Sequence, residues 1–482
     1  MSDEARSALE GLLQNLALSK EGVDGPIVFI GDDPIAAARH RYGAASAAAI
    51  AAQAVGVANI WAMRTGGSQR ITVDIHRSVV PGLRTSSHVS QNGHQMDYAR
   101  SPKETPNFFR TKDGRRVYVL RTAAYSANLI GLLGLLRCSS DTESLSDSIA
   151  KWDAADLEEA LAERQLVGAI ARTREEWLQT PQGQLLAAVP PVIVDKLAAG
   201  EPRPFGPAAR PLAGIRVLDM GHVLAGPVAA RVLAEQGAEV LHVSAPLNPD
   251  DFRVVLDTGF GKRNAFIDLK RPADLERVKA LLSRADVFVQ SFRPGSLEKR
   301  GLSPAEVAQL RPGVVYVSVS AYGGTGPWKT RGGYEPVGQT VSGLAIAEGS
   351  AESPVLAPTF TLNDYLAAYL AAAGATAALV RRAREGGSYH VQVSLARCSM
   401  WLQELGRLPL EQWPVRALGD PLLPAARESD FMETQCVFGR LRHARPIVDF
   451  SATPARWDRG PEPLGASLPD WDLESADVQP SV

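Results

Sequence analysis

Ile215-Arg216-Val217-Leu218-Asp219, followed closely by Val223-Leu224-Ala225-Gly226-Pro227, reads as a short apolar strand that turns directly into a helix. Proline at the first helical turn and glycine just past the last are the expected punctuation, and Gln236-Gly237 supplies the stop. Val240-Leu241-His242-Val243 is the next strand, and Ala265 to Leu269 a third. A helix over Asp274 to Arg284 leads to strands at Val287-Phe288-Val289 and Val314 to Val319. Strand, helix, strand at this short spacing predicts an α/β domain with a mostly parallel sheet covered on both faces. Such sheets take ligands at the carboxyl ends of their strands.

The remainder of the chain is organised around that domain. Residues 4–19 place Ala5, Leu9, Leu12, Leu13 and Leu16 on one helical face. Residues 43–63 are Ala-rich and helical, and Gly66-Gly67-Ser68 leads into the alternating strand Ile71-Thr72-Val73-Asp74-Ile75. Lys112-Asp113-Gly114-Arg115 predicts a hairpin turn before Val117 to Leu120. Residues 144–198 read as mostly helical, and Gly200 to Pro207 as a linker. Gly66 to Ile75 matches Gly386 to Leu395 position by position, each preceded by an Ala-rich helix, so the chain carries an internal duplication. From about residue 425, five prolines (446, 454, 461, 463 and 469) predict an irregular surface segment.

With 482 residues the chain is long enough for several folding units, and its formal charge of −2 argues against a general nucleic-acid binder. Cys138, Cys398 and Cys436 lie far apart, which predicts neither a disulfide framework nor a zinc site and fits a reducing cytoplasm. The N-terminal sequence, with Asp3 and Glu4, does not read as a secretory signal, and no run of about 18 uninterrupted apolar residues predicts a membrane span.

Three segments carry chemistry. Thr361-Leu362-Asn363-Asp364 opens the second Ala-rich helix, where Asn363 or Asp364 serves as an ordinary cap or Asp364 as a nucleophile held in the positive potential of the helix start. Ser320 to Pro327 and Arg331-Gly332-Gly333-Tyr334-Glu335 are glycine loops able to approach a ligand closely. Neither a Walker loop nor a dinucleotide fingerprint is present. Basic residues at Gly261-Lys262-Arg263, Lys270-Arg271 and Arg293 are candidates for phosphate contacts.

In order, Pro211 to Asp219, Val223 to Pro227, Gly261-Lys262-Arg263, Ala285-Asp286-Val287, Ser291-Phe292-Arg293-Pro294-Gly295 and Ser342-Gly343 resemble the family III CoA-transferases. That group contains formyl-CoA transferase, carnitine-CoA transferase and alpha-methylacyl-CoA racemase. The resemblance implies a Rossmann-like parallel-sheet domain plus a smaller α+β domain, with Asp364 as nucleophile. It implies CoA contacts at Leu224 and Ala225, on a strand carrying Ile267, Asp268, Leu269 and Lys270, at Ser291, Phe292, Arg293 and Lys299, and at Tyr334 and Glu335. The racemase branch has a histidine where Tyr334 stands, so the pair Tyr334-Glu335 is similar to the transferase branch. Ser244-Ala245 and Leu224 depart from acidic and glutamine residues that many relatives carry.

Residues 1–205 resemble only the later part of the family, a crossover helix and small domain with Ala44 opposite Asp364. Residues 206–425 resemble the CoA-binding domain, and 426–482 a closing segment and tail. The expected protein is thus one composite unit built from two incomplete copies. The resemblance implies an enzyme that transfers CoA from an acyl-CoA to a carboxylic acid through an aspartyl anhydride and an aspartyl-CoA thioester. It needs no metal and no tightly bound cofactor, and homodimers are usual in the family. Alternatives are a CoA-binding protein without catalysis and an acyl-CoA racemase or isomerase.

Overall fold

The computed structural model describes residues 3–96, 108–122, 125–413 and 421–472. Among them, seven strands form the main sheet in the order Lys262–Phe266, Glu239–Ser244, Arg216–Met220, Val287–Gln290, Val315–Ser320, Ser388–Ser394, Ile193–Ala198. The first six are parallel and the last is antiparallel. Chain order reverses at Arg216–Met220, which opens a crevice at the carboxyl ends of the central strands. The third strand ends at Phe266, earlier than its Ala265 to Leu269 apolar run suggests, so Ile267 to Lys270 form the loop beyond it.

Two 24-residue helices, Tyr42–Thr65 and Leu362–Glu385, pack along one another in the centre of the molecule. Both are rich in alanine and buried on nearly every face, which explains their lack of a one-sided apolar stripe. Tyr42–Thr65 is long and apolar enough to cross a membrane, but that window is wholly buried here. At the register that aligns Gly66 with Gly386, Gly56 aligns with Thr376. A Cβ on Gly56 would stand 2.2 Å from Thr376 Oγ1, so the duplicated helices meet at equivalent positions.

The duplication extends to the sheets. Val28–Ile30 and Ile71–Asp74 pair in parallel, as Val315–Ser320 and Ser388–Ser394 do. The N-terminal copy therefore retains the last parallel strand pair of the large sheet. The strands that follow are exchanged between the copies. Ile193–Ala198, downstream of the first Gly-Gly-Ser strand, pairs antiparallel with the second, placing Val194 opposite Val391. Val448–Phe450, downstream of the second, pairs antiparallel with the first, placing Val448 opposite Val73. The expected helix over 144–198 thus ends early, and 193–198 is extended because an edge strand of the other copy receives it.

Phe108–Arg110, Arg116–Val119 and Gly168–Ile170 form a small antiparallel sheet with helices Ser126–Leu136, Thr142–Ile149 and Ala154–Glu163 around its own core. Asp113-Gly114 lies in the turn of its first hairpin, as expected. This unit is keyed to the large one by Gln182, which is 1% exposed. Its amide nitrogen donates to Tyr322 O (2.7 Å) and Thr325 O (3.0 Å), and its oxygen accepts from Trp328 N (2.9 Å). Gln182→Ala would strand two buried backbone groups, Tyr322 O and Trp328 N, and we expect a loss of about 2–3 kcal/mol in denaturant unfolding.

The expected irregular C-terminal segment is instead partly regular. Phe431–Cys436 and Gly439–Ala444 form a hairpin that adds to Ser90–Gln91 and His94–Gln95. Residues 473–482 of the predicted tail lie outside the described residues. The three cysteines are free.

Candidate active site

The loop after the central strand is fixed from three sides. Gly221 N donates to Asp219 Oδ1 (2.9 Å), His222 N to Ser291 Oγ (2.8 Å) and Val223 N to Asp250 Oδ2 (3.1 Å). Val223 is held at φ 62°, a left-handed conformation that costs a β-branched residue on the order of 1–3 kcal/mol and needs such over-determination. Leu224 and Ala225, which open the helix Ala225–Ala234, are 1% and 5% exposed. The His222 ring meets Phe292 edge-on at 5.0 Å, joining this loop to Ser291-Phe292-Arg293.

Beneath the loop, Lys262 Nζ donates to Asp219 Oδ2 (2.8 Å) and Pro227 O (2.6 Å), and His242 Nδ1 lies 2.9 Å from the same carboxylate oxygen. Burial would raise Asp219, but Lys262 and His242 hold it below the usual carboxylate range. Lys262, 1% exposed, is therefore an internal prop of the sheet rather than a phosphate ligand, and Arg263 pairs with Glu239. The charge at Gly261-Lys262-Arg263 is consumed inside the fold.

The third element is the start of the helix Leu362–Glu385. Thr361 occupies the cap position, so neither Asn363 nor Asp364 is the cap. Asn363 N instead donates to Glu335 Oε1 (2.9 Å), and Gln339 Nε2 donates to both Glu335 oxygens (2.7 and 2.9 Å). The Glu335 carboxylate thus faces inward, 3% exposed, and serves the helix start. In the other copy, Asp33 Oδ1 receives the equivalent N–H from Gly43 (2.8 Å). Asp364 follows on the first turn, with no hydrogen-bond partner among the described residues. It is the one residue from 361 to 380 that is not buried. Desolvation in this setting pushes its carboxyl up to about 7. The Asp364 charge in turn adds to the effect of burial in raising Glu335.

Tyr334 closes the group from the side. Its ring stacks on Tyr125 at 4.2 Å and 28°, and burial, reinforced by the Asp250 and Asp364 carboxylates and opposed by Arg293, raises its phenol. Arg293 donates to the side chain and backbone oxygens of Gln165. Tyr125 and Gln165 belong to the small unit, so the N-terminal copy covers residues of the C-terminal one.

Of the residues singled out in the sequence, the structure gathers Leu224, Ala225, Ser291, Phe292 and Arg293 at adjacent strand ends, and Tyr334, Glu335 and Asp364 beside them. Ile267, Asp268, Leu269 and Lys270 lie two strands out from the central one, tied to it by Ile267 N donating to Ser244 O (3.0 Å). Lys299 is exposed in a short 3-10 turn, Glu298–Arg300. His222, Asp250, Tyr125 and Gln165 are additions. His222 carries a signal in hindsight, sitting between the first strand and Val223. The other three come near through tertiary structure alone. The geometry offers a half-buried carboxylate on the first turn of a helix, close to Tyr334 and Glu335.

Residues 212–408 match the profile of CoA-transferase family III. The chain is similar to the acetyl-coenzyme A transferase nodX of Hypoxylon pulicicidum, with 32% identity over 61% of this chain and 54% of that protein. It is also similar to the succinyl-CoA–L-malate CoA-transferase alpha subunit of Chloroflexus aurantiacus (35%, over 38% of this chain and 46% of that one). The succinyl-CoA:glutarate CoA-transferase of Mus musculus is 31% identical over 41% of this chain and 48% of its own. The chain thus spans about half the length of the curated relatives it matches. Among solved structures, Rv3272 from M. tuberculosis matches with a TM-score of 0.38 and 31% identity, over 41% of this chain and 58% of that one.

Proposed function

We propose that the protein moves CoA from an acyl-CoA donor to a carboxylic acid acceptor, with Asp364 as its nucleophile, a reading supported by the match of residues 212–408 to CoA-transferase family III. The observation that carries this reading is that Asp364, alone among residues 361–380, is not fully buried, and that its charge acts on the neighbouring Tyr334 phenol. The Asp364 carboxylate attacks the thioester carbonyl and expels CoA thiolate, forming a mixed anhydride. The thiolate then attacks the aspartyl carbonyl, releasing the donor acid and leaving an aspartyl-CoA thioester. The acceptor carboxylate attacks that thioester and again frees the thiolate. Attack of the thiolate on the acceptor's carbonyl gives the new acyl-CoA and restores Asp364. Every step exchanges one acyl bond for another, so no electrons are gained or lost.

The loop at Leu224 and Ala225, the Ile267 to Lys270 turn, Ser291 to Arg293 and Lys299 are the proposed CoA contacts. Leu224 and Ala225 have little side-chain surface to offer, so their contribution is backbone. Glu335 acts by holding the helix start that carries Asp364. Tyr334 offers no second proton-transfer base of the histidine kind, which favours transfer over racemisation.

Intact mass spectrometry after incubation with an acyl-CoA tests the reading. We expect an adduct on Asp364 that hydroxylamine removes. Binding of CoA with no adduct from any of a panel of donors would instead support a non-catalytic CoA-binding protein.

The pH dependence follows from the site. The attacking species is the ionised carboxylate, and burial holds Asp364 protonated up to about 7. Below that value kcat/KM for the acyl-CoA should fall about tenfold per pH unit, and above it should level off. A profile flat from about pH 5 to 9 contradicts this assignment.

A further inference from the structure

The duplication places a second site on the other side of the helix pair. At the Gly66–Gly386 register, Arg39-His40 aligns with Thr359-Phe360, and Gln403 to Arg407 with Leu83 to Ser87. Beside Asp364 these segments meet: Thr361 Oγ1 donates to Leu83 O (3.0 Å), and the Arg84 guanidinium lies 5.9 Å from the Phe360 ring. Their counterparts also meet, with Leu408 N donating to Arg39 O (2.8 Å) and His40 bridged to Arg407. On that side the nucleophile's place is taken by Ala44, 1% exposed, and a cavity of about 390 Å³ opens between the Arg39-His40 and Gln403 to Arg407 segments.

The cavity is cationic. Arg39, Arg174 and Arg407 line it with one exposed carboxylate, Glu175, while the Glu348 carboxylate behind the wall is taken up by Arg39 N (2.7 Å) and His40 Nδ1 (2.6 Å). Arg39 is fixed in place: its guanidinium donates to Ala347 O (3.0 Å) and Gly349 O (2.9 Å) and lies 4.7 Å from the Trp413 ring. Arg174 and Arg407 make no close ion pair among the described residues, and both charges act on the exposed Glu175 carboxylate beside them. Gly343, at φ 95°, admits the Arg174 backbone, since a Cβ there would stand 2.4 Å from Arg174 N. Guanidinium groups bind phosphate and carboxylate oxygens through paired, charge-assisted hydrogen bonds, and a concave site concentrates their field.

We propose that this cavity is a non-catalytic binding site for the oxyanion group, phosphate or carboxylate, of a small molecule, held by Arg174 and Arg407. The segments that line it are the duplicated counterparts of those that meet beside Asp364, and Ala44 stands where the carboxylate would be.

Titration calorimetry on the whole chain tests this, with inorganic phosphate and malonate as separate probes. At least one should bind the wild type, and the arm that responds identifies the group. Arg174→Ala with Arg407→Ala should weaken that probe at least about tenfold, the loss expected for charge-assisted hydrogen bonds. CoA affinity and the probe-free melting temperature should stay at wild-type values. If the double variant melts early, Arg407→Gln alone carries the same test with a smaller loss. Equal binding of both probes by wild type and variant, or no binding of either by the wild type, overturns the proposal.

Discussion

Asp364→Ala should lower CoA transfer by at least about a thousandfold while CoA binding stays within about twofold of wild type. The size follows from the role: without the carboxylate neither the anhydride nor the aspartyl thioester can form, and what remains is uncatalysed exchange. The spared binding follows from position, because the proposed CoA contacts lie on loops anchored by Asp219, Asp250 and Ser291 rather than by Asp364. Steady-state rates with a radiolabelled acceptor and a CoA titration check the two halves separately. Retained turnover would remove Asp364 from the mechanism, whereas lost CoA affinity would make it a structural residue. A companion change reads the same side chain through stability. Burial pushes the folded carboxyl up to about 7, well above the ordinary aspartate range, so the folded state keeps its proton longer than the unfolded chain. The stability attached to that protonated form is complete below the unfolded value and is lost as pH rises through the folded one. Asp364→Asn removes this loss. It should therefore melt a few degrees above wild type at pH 8 and together with it near pH 4. Equal melting at both pH values would place the carboxyl in ordinary solvent.

Gly56→Thr should destabilise the fold by about 3 kcal/mol or more, the upper end of the cost of overpacking a rigid core. The new Cβ alone would come within 2.2 Å of Thr376 Oγ1 and 2.6 Å of its Cβ. Neither helix can shift to make room, since both are buried along most of their length against the two sheets and each other. Because Gly56 and Thr376 are equivalent under the duplication, the clash has a specific cure. Gly56→Thr with Thr376→Gly restores one small and one large residue at the crossing, in exchanged places. The double variant should recover most of the lost stability in denaturant unfolding, at a coupling energy well above the few tenths expected of independent sites. Additive losses would mean that the helices do not meet there.

The parallel sheet was legible because each strand is a short apolar run bounded by helix starts and stops, and most of its strands lie within a residue or two of the expected positions. Three segments were not. Ile193–Ala198 has leucine and alanine, which suit a helix, and is extended only because the second Gly-Gly-Ser strand offers it an edge. Gly439–Ala444 carries Arg440, Arg442 and His443 and shows no apolar alternation, so its pairing with residues near 90 left no local trace. The strand read at Ala265 to Leu269 slipped by about three residues, because Lys262 and Arg263 look like surface residues until Asp219 and Glu239 are seen to hold them. The site divides in the same way. Asp364 could be found from its place at the start of the helix, with the family register deciding between cap and nucleophile. The inward turn of Glu335 could not, because a carboxylate next to a ligand loop and one supporting a helix have the same sequence.

The exchanged strands also set an order on how the chain can mature. Val73 lacks its outer neighbour until Val448, far downstream in the chain, has been synthesised. The first Gly-Gly-Ser strand therefore leaves the ribosome with one edge bare and stays so while most of the protein is made. Contacts this distant in sequence form slowly, and bare edges invite association with other chains. Production of this protein should thus lean on chaperones and gain from slow synthesis, and deleting Val448 to Phe450 should loosen the amino-terminal half, whose strand Ile71–Asp74 they complete.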